Sequence, residues 1–387
     1  MCKRFTVVLI VIVMMLSLCS CSADAKRGGR SMSAKEFGEK WKISRTAETG
    51  KIILDVDLMY VNDDAYAALI AAQADTLGYI DLLGITTTSC NVFAAASAYD
   101  TLYLLQDIDR TDIPVYMGES EPRNGLLDIE NYKKVAGISD WYGCYDNIDR
   151  YTKDVNEAHE LGLCRATGEI TNTSIQDGSG VDFIIEQVHK YPGEVTLVAL
   201  TSLTTISKAI EKDRTVVDDA AGIIIMGADF GVRIDGLRDY EINFWFDPES
   251  TNKVLDAPWK EKIIISSDAA DSCKRNREVY ELLKSKTLNK AGQCAADSLA
   301  PIYEDGKEED FPYCWDPVTV VYYLCPDIIT KTESRAVCVD EREGFTYGLT
   351  RDWYPGKEPV GVGVHDTVFE CDGKALWEFI SDIFSVR

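Results

Sequence analysis

The chain has 387 residues, a net charge of −24 and a hydrophobic content of 46%, with 10% aromatic residues. That apolar share supports a large core, while so acidic a surface repels a phosphate backbone and excludes nucleic acid as a partner. An uncharged small molecule meets no such repulsion.

The chain opens on a targeting pattern. Lys3 and Arg4 precede an apolar run from Phe5 to Leu18, which is too short to cross a bilayer comfortably. Ser20 then precedes Cys21, which fits a lipoprotein signal over residues 1–20 with Cys21 as the acylated residue; an ordinary cleaved secretory signal is the alternative. Both place the mature protein outside the cytoplasm, and only the first ties it to a membrane, through a lipid anchor. Residues 21–50, polar and charged around Gly28-Gly29, read as a tether, and the folded domain is expected over residues 51–387. Nine of the twelve cysteines lie within it, from Cys90 to Cys371. An odd number cannot all pair, and no C-x-x-C spacing suggests zinc.

Strand and helix signals then alternate. Ile52-Ile53-Leu54 is a short buried strand, and Asp63 to Ala74 an alanine-rich helix opened by acidic residues that suit a helix N-terminus. Ile80 to Thr88 predicts a strand, Val92 to Gln106 a helix, and Ile113 to Tyr116 a strand. Residues 119–178 break the rhythm and read as an insertion, with Trp141, Tyr142, Tyr145 and Tyr151 among polar residues. So long an excursion is either a substrate-covering region or a structural one. Val195 to Leu200 and Gly222 to Met226 are strands with a helix at about Leu203 to Lys212 between them, and Lys262 to Ser266 is another strand. Short strands over Val337 to Asp340, Val360 to Val364 and Thr367 to Cys371 precede a closing helix at about Gly373 to Phe384. This alternation predicts an α/β fold, parallel βαβ units in a sheet covered on both faces.

The chemistry concentrates where the first strand ends. Asp55-Val56-Asp57 is followed six residues later by Asp63-Asp64 at a helix start. Sites in open α/β sheets form at the carboxyl ends of strands. Four carboxylates gathered there repel one another unless a cation holds them, and a hard divalent ion with oxygen ligands is the natural solution. A helix cap with a solvated loop is the plainer alternative.

The segment Lys51 to Ala72 resembles the opening of the inosine–uridine type nucleoside hydrolases, where a strand runs into D-x-D, a loop and D-D-A. The likeness continues through Leu83 to Asn91, Asp112 to Gly118, Leu197 to Thr205, Ile224 to Gly227, Glu241-Ile242-Asn243 with Asp247-Pro248, Trp315-Asp316-Pro317-Val318, and Gly344 to Gly348. Cys90, Thr201 and Ala228 stand where the family pattern has glycine, and the loop Leu58 to Asn62 lacks one.

The resemblance implies a single large domain with a mainly parallel, Rossmann-like central sheet flanked by helices. It implies a calcium ion held by Asp57, Asp64 and Asp316 and by the backbone carbonyl of Leu200, with Asp55 orienting those ligands. Asp57 would also be the general base for a water whose acidity the cation raises. Asp63, Asn91, Met226, Glu241 and Asn243 would line the sugar pocket. Glu241 and Asn243 lie two apart, so an extended backbone would set both on one face. The reaction implied is hydrolysis of the N-glycosidic bond of a ribonucleoside, and dimers or tetramers are implied as well.

Many family members place a histidine before the last metal aspartate. Here that residue is Trp315, as in purine-preferring members, where an indole stacks on the base; Trp141 could supply a second face. His159, His189 and His365 are the only histidines. His189 falls in a predicted helix, and His365-Asp366 lies in the wrong order for that pair. Two alternatives stay open: a ribonucleoside-binding lipoprotein of the same fold without catalysis, and a hydrolase of a different N-riboside. No G-x-x-x-x-G-K-[ST] loop or G-x-S-x-G elbow supports other chemistry.

Overall fold

The computed structural model describes residues 31–137, 139, 141–231, 240–304 and 313–387. The signal segment and Cys21 lie outside the described residues. Nine strands are present among them: β1 (Lys51–Val56), β2 (Asp81–Thr87), β3 (Val115–Met117), β4 (Val195–Ala199), β5 (Gly222–Met226), β6 (Lys262–Ile265), β7 (Ile329–Val339), β8 (Thr350–Trp353) and β9 (Val364–Cys371). They form one sheet in the order β3-β2-β1-β4-β5-β6-β9-β7-β8. All pairs from β3 across to β9 are parallel, and β7 runs antiparallel between β9 and β8.

The sheet is covered on both faces because its central strands send apolar residues to both sides. Along β1, Ile52, Leu54 and Val56 enter one core, while Ile53 enters the other. In β5 the split is Ile224 and Met226 against Ile223 and Ile225. Alternate side chains of a strand point to opposite faces, so each strand feeds both helical layers. Helices Asp63–Thr76, Pro317–Leu324 and Gly373–Ile383 supply the first layer, and Gly180–Lys190, Thr204–Lys212 and Pro248–Asp256 the second. The chain moves outward from β1 to β2 and β3, then returns to lay β4 on the other side of β1. That reversal is the topological switch point, where a crevice opens beyond the strand ends.

Three expectations need correction. The tether does not extend to residue 50: Ala34–Trp41 is helical, capped by Ser33, and its Phe37 is fully buried against Phe379. Val360 to Val364 is not a strand, since Gly361 has a positive φ and only Val364 joins β9. Strand β7 begins eight residues earlier than its apolar end suggested, because Lys331 to Arg335 pair with β9 despite their polarity. The insertion holds short helices of its own, Ile129–Ala136, Gly143–Arg150 and Val155–Glu160. All nine cysteines of the domain carry free thiols, Cys273 and Cys371 with their Sγ atoms 2.8 Å apart. No helix among the described residues is long and apolar enough to cross a membrane.

Candidate active site

Strand β1 delivers its carboxylates to the switch point. Asp55 sits on the last turn of the pleat, its Oδ1 accepting the hydroxyls of Thr86 and Thr88 at 2.8 Å each. Its Oδ2 is buried without a partner, and burial pushes the carboxyl up to about 7. One residue past the strand, Asp57 is fully buried. Its Oδ2 accepts the Asn91 backbone N–H, its Oδ1 has no partner, and burial raises its pKa to about 7 as well.

The helix Asp63–Thr76 begins just beyond. Asn62 caps it by accepting the Ala65 N–H at 3.2 Å, and its Nδ2 donates to Asp64 Oδ2 at 2.9 Å. Asp64 Oδ1 accepts the Asp57 N–H at 3.3 Å, which locks strand end to helix start. Asp316, buried at the head of the helix Pro317–Leu324, arrives from the far end of the chain. Burial raises Asp64 and Asp316 well above the carboxylate range, and the neighbouring aspartates add to it. Burial also raises Asp63, against the pull of the Arg275 guanidinium.

One oxygen each from Asp63, Asp64 and Asp316 lie within 4.8 Å of one another. This trio contains Asp63, expected at the ribose, where the sequence suggested Asp57; Asp57 has one oxygen turned to Asn91 instead. Carboxylates packed this closely, with Asp57 Oδ1 buried and unpartnered beside them, fit a hard divalent cation.

Above this floor opens a cavity of about 440 Å³. Its lining includes nine residues singled out from sequence: Asp63, Asn91, Trp141, Leu200, Met226, Glu241, Asn243, Trp315 and Asp316. Leu200 follows β4 and Met226 ends β5, so the lining draws on successive strand ends. Asn243 Nδ2 donates to the carbonyls of both, at 3.2 and 3.3 Å. The backbone is extended at Glu241 but enters the helix Ile242–Phe246 at the next residue, so Glu241 and Asn243 do not share the face of one extended segment: the Glu241 carboxylate caps that helix, accepting the N–H groups of Asn243 at 2.8 Å and Phe244 at 2.9 Å.

Both tryptophans are pinned. Trp141 Nε1 donates to Asn91 Oδ1 at 3.0 Å, and Trp315 Nε1 donates to Asp271 Oδ1 at 2.8 Å. Tyr313 stacks parallel to Trp315 with centroids 5.4 Å apart. None of the three histidines lines the cavity. His159 stacks on Tyr99, His189 lies near Asp213 and Asp219, and His365 is buried on β9, where burial pushes it down to about 3.

Sequence reasoning missed Asp229, Tyr240, Asp271, Arg275 and Tyr313, which also line the wall. They belong to loops outside the matched motifs, and no spacing marks them. The lost glycines matter little to the backbone. Of those positions only Ala228 takes a left-handed φ, at 71°, a conformation that costs a residue with a Cβ on the order of 1–2 kcal/mol.

A doubly wound sheet with a carboxylate-floored cavity at its switch point defines a ligand-binding α/β protein of the enzyme kind. The family model described as inosine-uridine preferring nucleoside hydrolase matches residues 52–378, and the chain belongs to that family. It is 26% identical to a probable uridine nucleosidase of Arabidopsis thaliana, over 78% of this chain and 84% of that one. It is 26% identical to a pyrimidine-specific ribonucleoside hydrolase of Escherichia coli, over 78% and 87%. Among solved structures, a plant nucleoside hydrolase superposes with a TM-score of 0.69 at 22% identity, covering 88% of this chain and all of that one. A purine-preferring ribonucleoside hydrolase from Gardnerella vaginalis gives 0.63 at 22% identity, covering 87% and 98%. The protein is thus an N-ribosyl hydrolase acting on small ribonucleosides, of a family that uses a metal ion.

Proposed function

We propose that this enzyme releases purine bases from ribonucleosides, with calcium at the aspartate floor, Asp57 as general base, and a place of work outside the cytoplasm. The observation that carries the substrate preference is the pair of pinned indoles in the cavity wall. An indole held by its N–H presents a fixed face, and stacking a base on an aromatic ring contributes roughly 1–3 kcal/mol.

Asp57, Asp64 and Asp316 would hold the ion together with the Leu200 carbonyl, and Asp63 takes part in its coordination or in binding ribose hydroxyls beside it. When bound, the cation supplies positive charge that makes a water easier to deprotonate. Asp57 accepts a proton from the water that attacks the anomeric carbon, through the oxygen that has no partner. Asp63 and Asn91 fix the sugar. The transition state resembles an oxocarbenium ion, and the surrounding carboxylates favour that developing charge.

The test is release of reducing ribose from inosine, adenosine, guanosine, uridine and cytidine. Inosine is expected to exceed uridine in kcat/KM by about tenfold or more, and Trp315→Ala to reduce the inosine value by roughly 10- to 100-fold. Uridine cleaved faster than inosine would remove the purine reading. Location has its own test: tritiated palmitate is expected to label the wild type in a lipoprotein-processing bacterium and not Cys21→Ala. Equal labelling of both, or of neither, would remove the anchor.

A further inference from the structure

We propose that Asp271 delivers the proton that lets the base depart. This rests on the hydrolase reading above and names the residue that completes it.

Breaking the C1′–N bond leaves its electron pair on the base, and an anionic purine is a poor leaving group. A positioned acid removes that obstacle. No histidine lines the cavity. Asp63 and Asp316 are engaged at the floor with Asp64. Glu241 spends both oxygens on helix N–H groups, which favours its ionised form. Asp229 turns an oxygen to the Gly231 N–H of its own loop, at 2.8 Å. Arginine does not give up its proton, so Arg275 is no donor.

Asp271 differs in place. It lines the cavity, is half-buried, and accepts the Trp315 indole N–H at 2.8 Å. That bond sets its carboxyl at the rim of the indole ring. A base stacked on that ring presents its edge, with its ring nitrogens, near the same rim. Burial raises the Asp271 pKa, with Asp268 and Asp229 adding to the rise against the Trp315 N–H and Lys274. Arg275 and Asp63 are the other charged groups on this side of the cavity.

The step balances. The carboxyl proton of Asp271 passes to a base nitrogen as the C1′–N bond breaks and its electron pair moves to the base. The water oxygen bonds to C1′ and its proton passes to Asp57. One water is consumed, and solvent restores the proton on Asp271 and removes the one on Asp57.

Asp271→Asn keeps an oxygen for Trp315 and holds no transferable proton, whereas Asp271→Ala loses both. We compare inosine with 4-nitrophenyl β-D-ribofuranoside, whose leaving group needs no acid, using calcium-loaded full-length protein checked by circular dichroism. Asp271→Asn is expected to lose about 100-fold or more in kcat on inosine and under about fivefold on the nitrophenyl riboside. The fall of inosine kcat at alkaline pH should disappear in that variant. Inosine kcat retained within about threefold in Asp271→Asn, or an equal loss on both ribosides, overturns the proposal and leaves Asp271 as a positioning residue for Trp315. A wild type that cleaves neither riboside overturns the hydrolase reading and this proposal with it; a wild type that cleaves both, with the selective loss absent, overturns the proposal alone.

Discussion

Asp57→Asn is expected to lower kcat on inosine by about 1000-fold or more, with KM changed by less than about fivefold. General base catalysis alone contributes roughly 10²- to 10⁴-fold, and the same carboxylate adds charge to a site where positive charge develops. The position explains why nothing nearby can substitute. Asp57 is fully buried, one oxygen is held by the Asn91 N–H, and the other is buried and unpartnered. Asp64 has both oxygens committed, to the Asp57 N–H and to Asn62. The proposed ribose contacts of Asp63 and Asn91 would remain in the variant, which is why KM should move little. Initial rates at saturating calcium decide the matter. A kcat within tenfold of wild type would refute Asp57 as the base. Its pKa is raised to about 7 by burial in the cation-free protein, and a base works only when ionised. Activity should therefore fall on the acid side, and added calcium, which favours the ionised form, should shift that limb to lower pH.

Nine of the residues that line the cavity stand out in the sequence. A D-x-D at a strand end needs no tertiary information to suggest a cation, because strand ends are where α/β sites form and bare carboxylates repel. Asp316 lies 252 positions beyond Asp64 and could be linked to it only through a matched motif; periodicity had nothing to say. Strands β1, β4 and β5 were legible because they are buried on both faces and therefore largely apolar. Strand β7 was cut short for the opposite reason: Lys331 to Arg335 are polar and mostly exposed, although they pair with β9. Residues 21–50 were read as a tether from their polarity, yet the helix Ala34–Trp41 docks through its buried Phe37 and through Lys40 and Trp41, which donate to Asp382. Asp271 and Arg275 were invisible because their importance lies in what they face across the cavity, and a polar loop offers no period to read. Glu241 shows a subtler failure. It lines the cavity, but the chain turns into a helix at Ile242, and the Glu241 carboxylate caps that helix.

Calcium is expected to stabilise the protein more at pH 8 than at pH 5, and Asp316→Asn to reverse the effect of removing it. The sign follows from the raised carboxyls. Asp55 and Asp57 sit at about 7 in the folded chain, against about 3.9 when unfolded. A folded pKa above the unfolded one contributes stability fully present below the unfolded value and lost as pH rises through the folded value. Asp63, Asp64 and Asp316 are raised in the same direction. The calcium-free protein should thus weaken steadily from about pH 4 to pH 7 as buried carboxylates ionise side by side. Calcium must displace the same protons, so its stabilisation grows over that window. At a hundredfold excess over Kd the gain is about 2.7 kcal/mol, which in a domain of this size raises Tm by roughly 5 °C. Asp316→Asn removes one buried charge from the cluster along with one ligand. Its calcium-free Tm at pH 8 should equal or exceed that of the wild type, while its response to calcium should be lost. Thermal unfolding of both proteins at the two pH values, with calcium and with chelator, gives four pairs of midpoints. Equal calcium shifts at pH 5 and pH 8, or a shift that survives Asp316→Asn, would show that the aspartate floor is not where the ion binds. A calcium shift that is larger at pH 8 and lost in Asp316→Asn would show that the cation relieves the repulsion among these buried carboxylates.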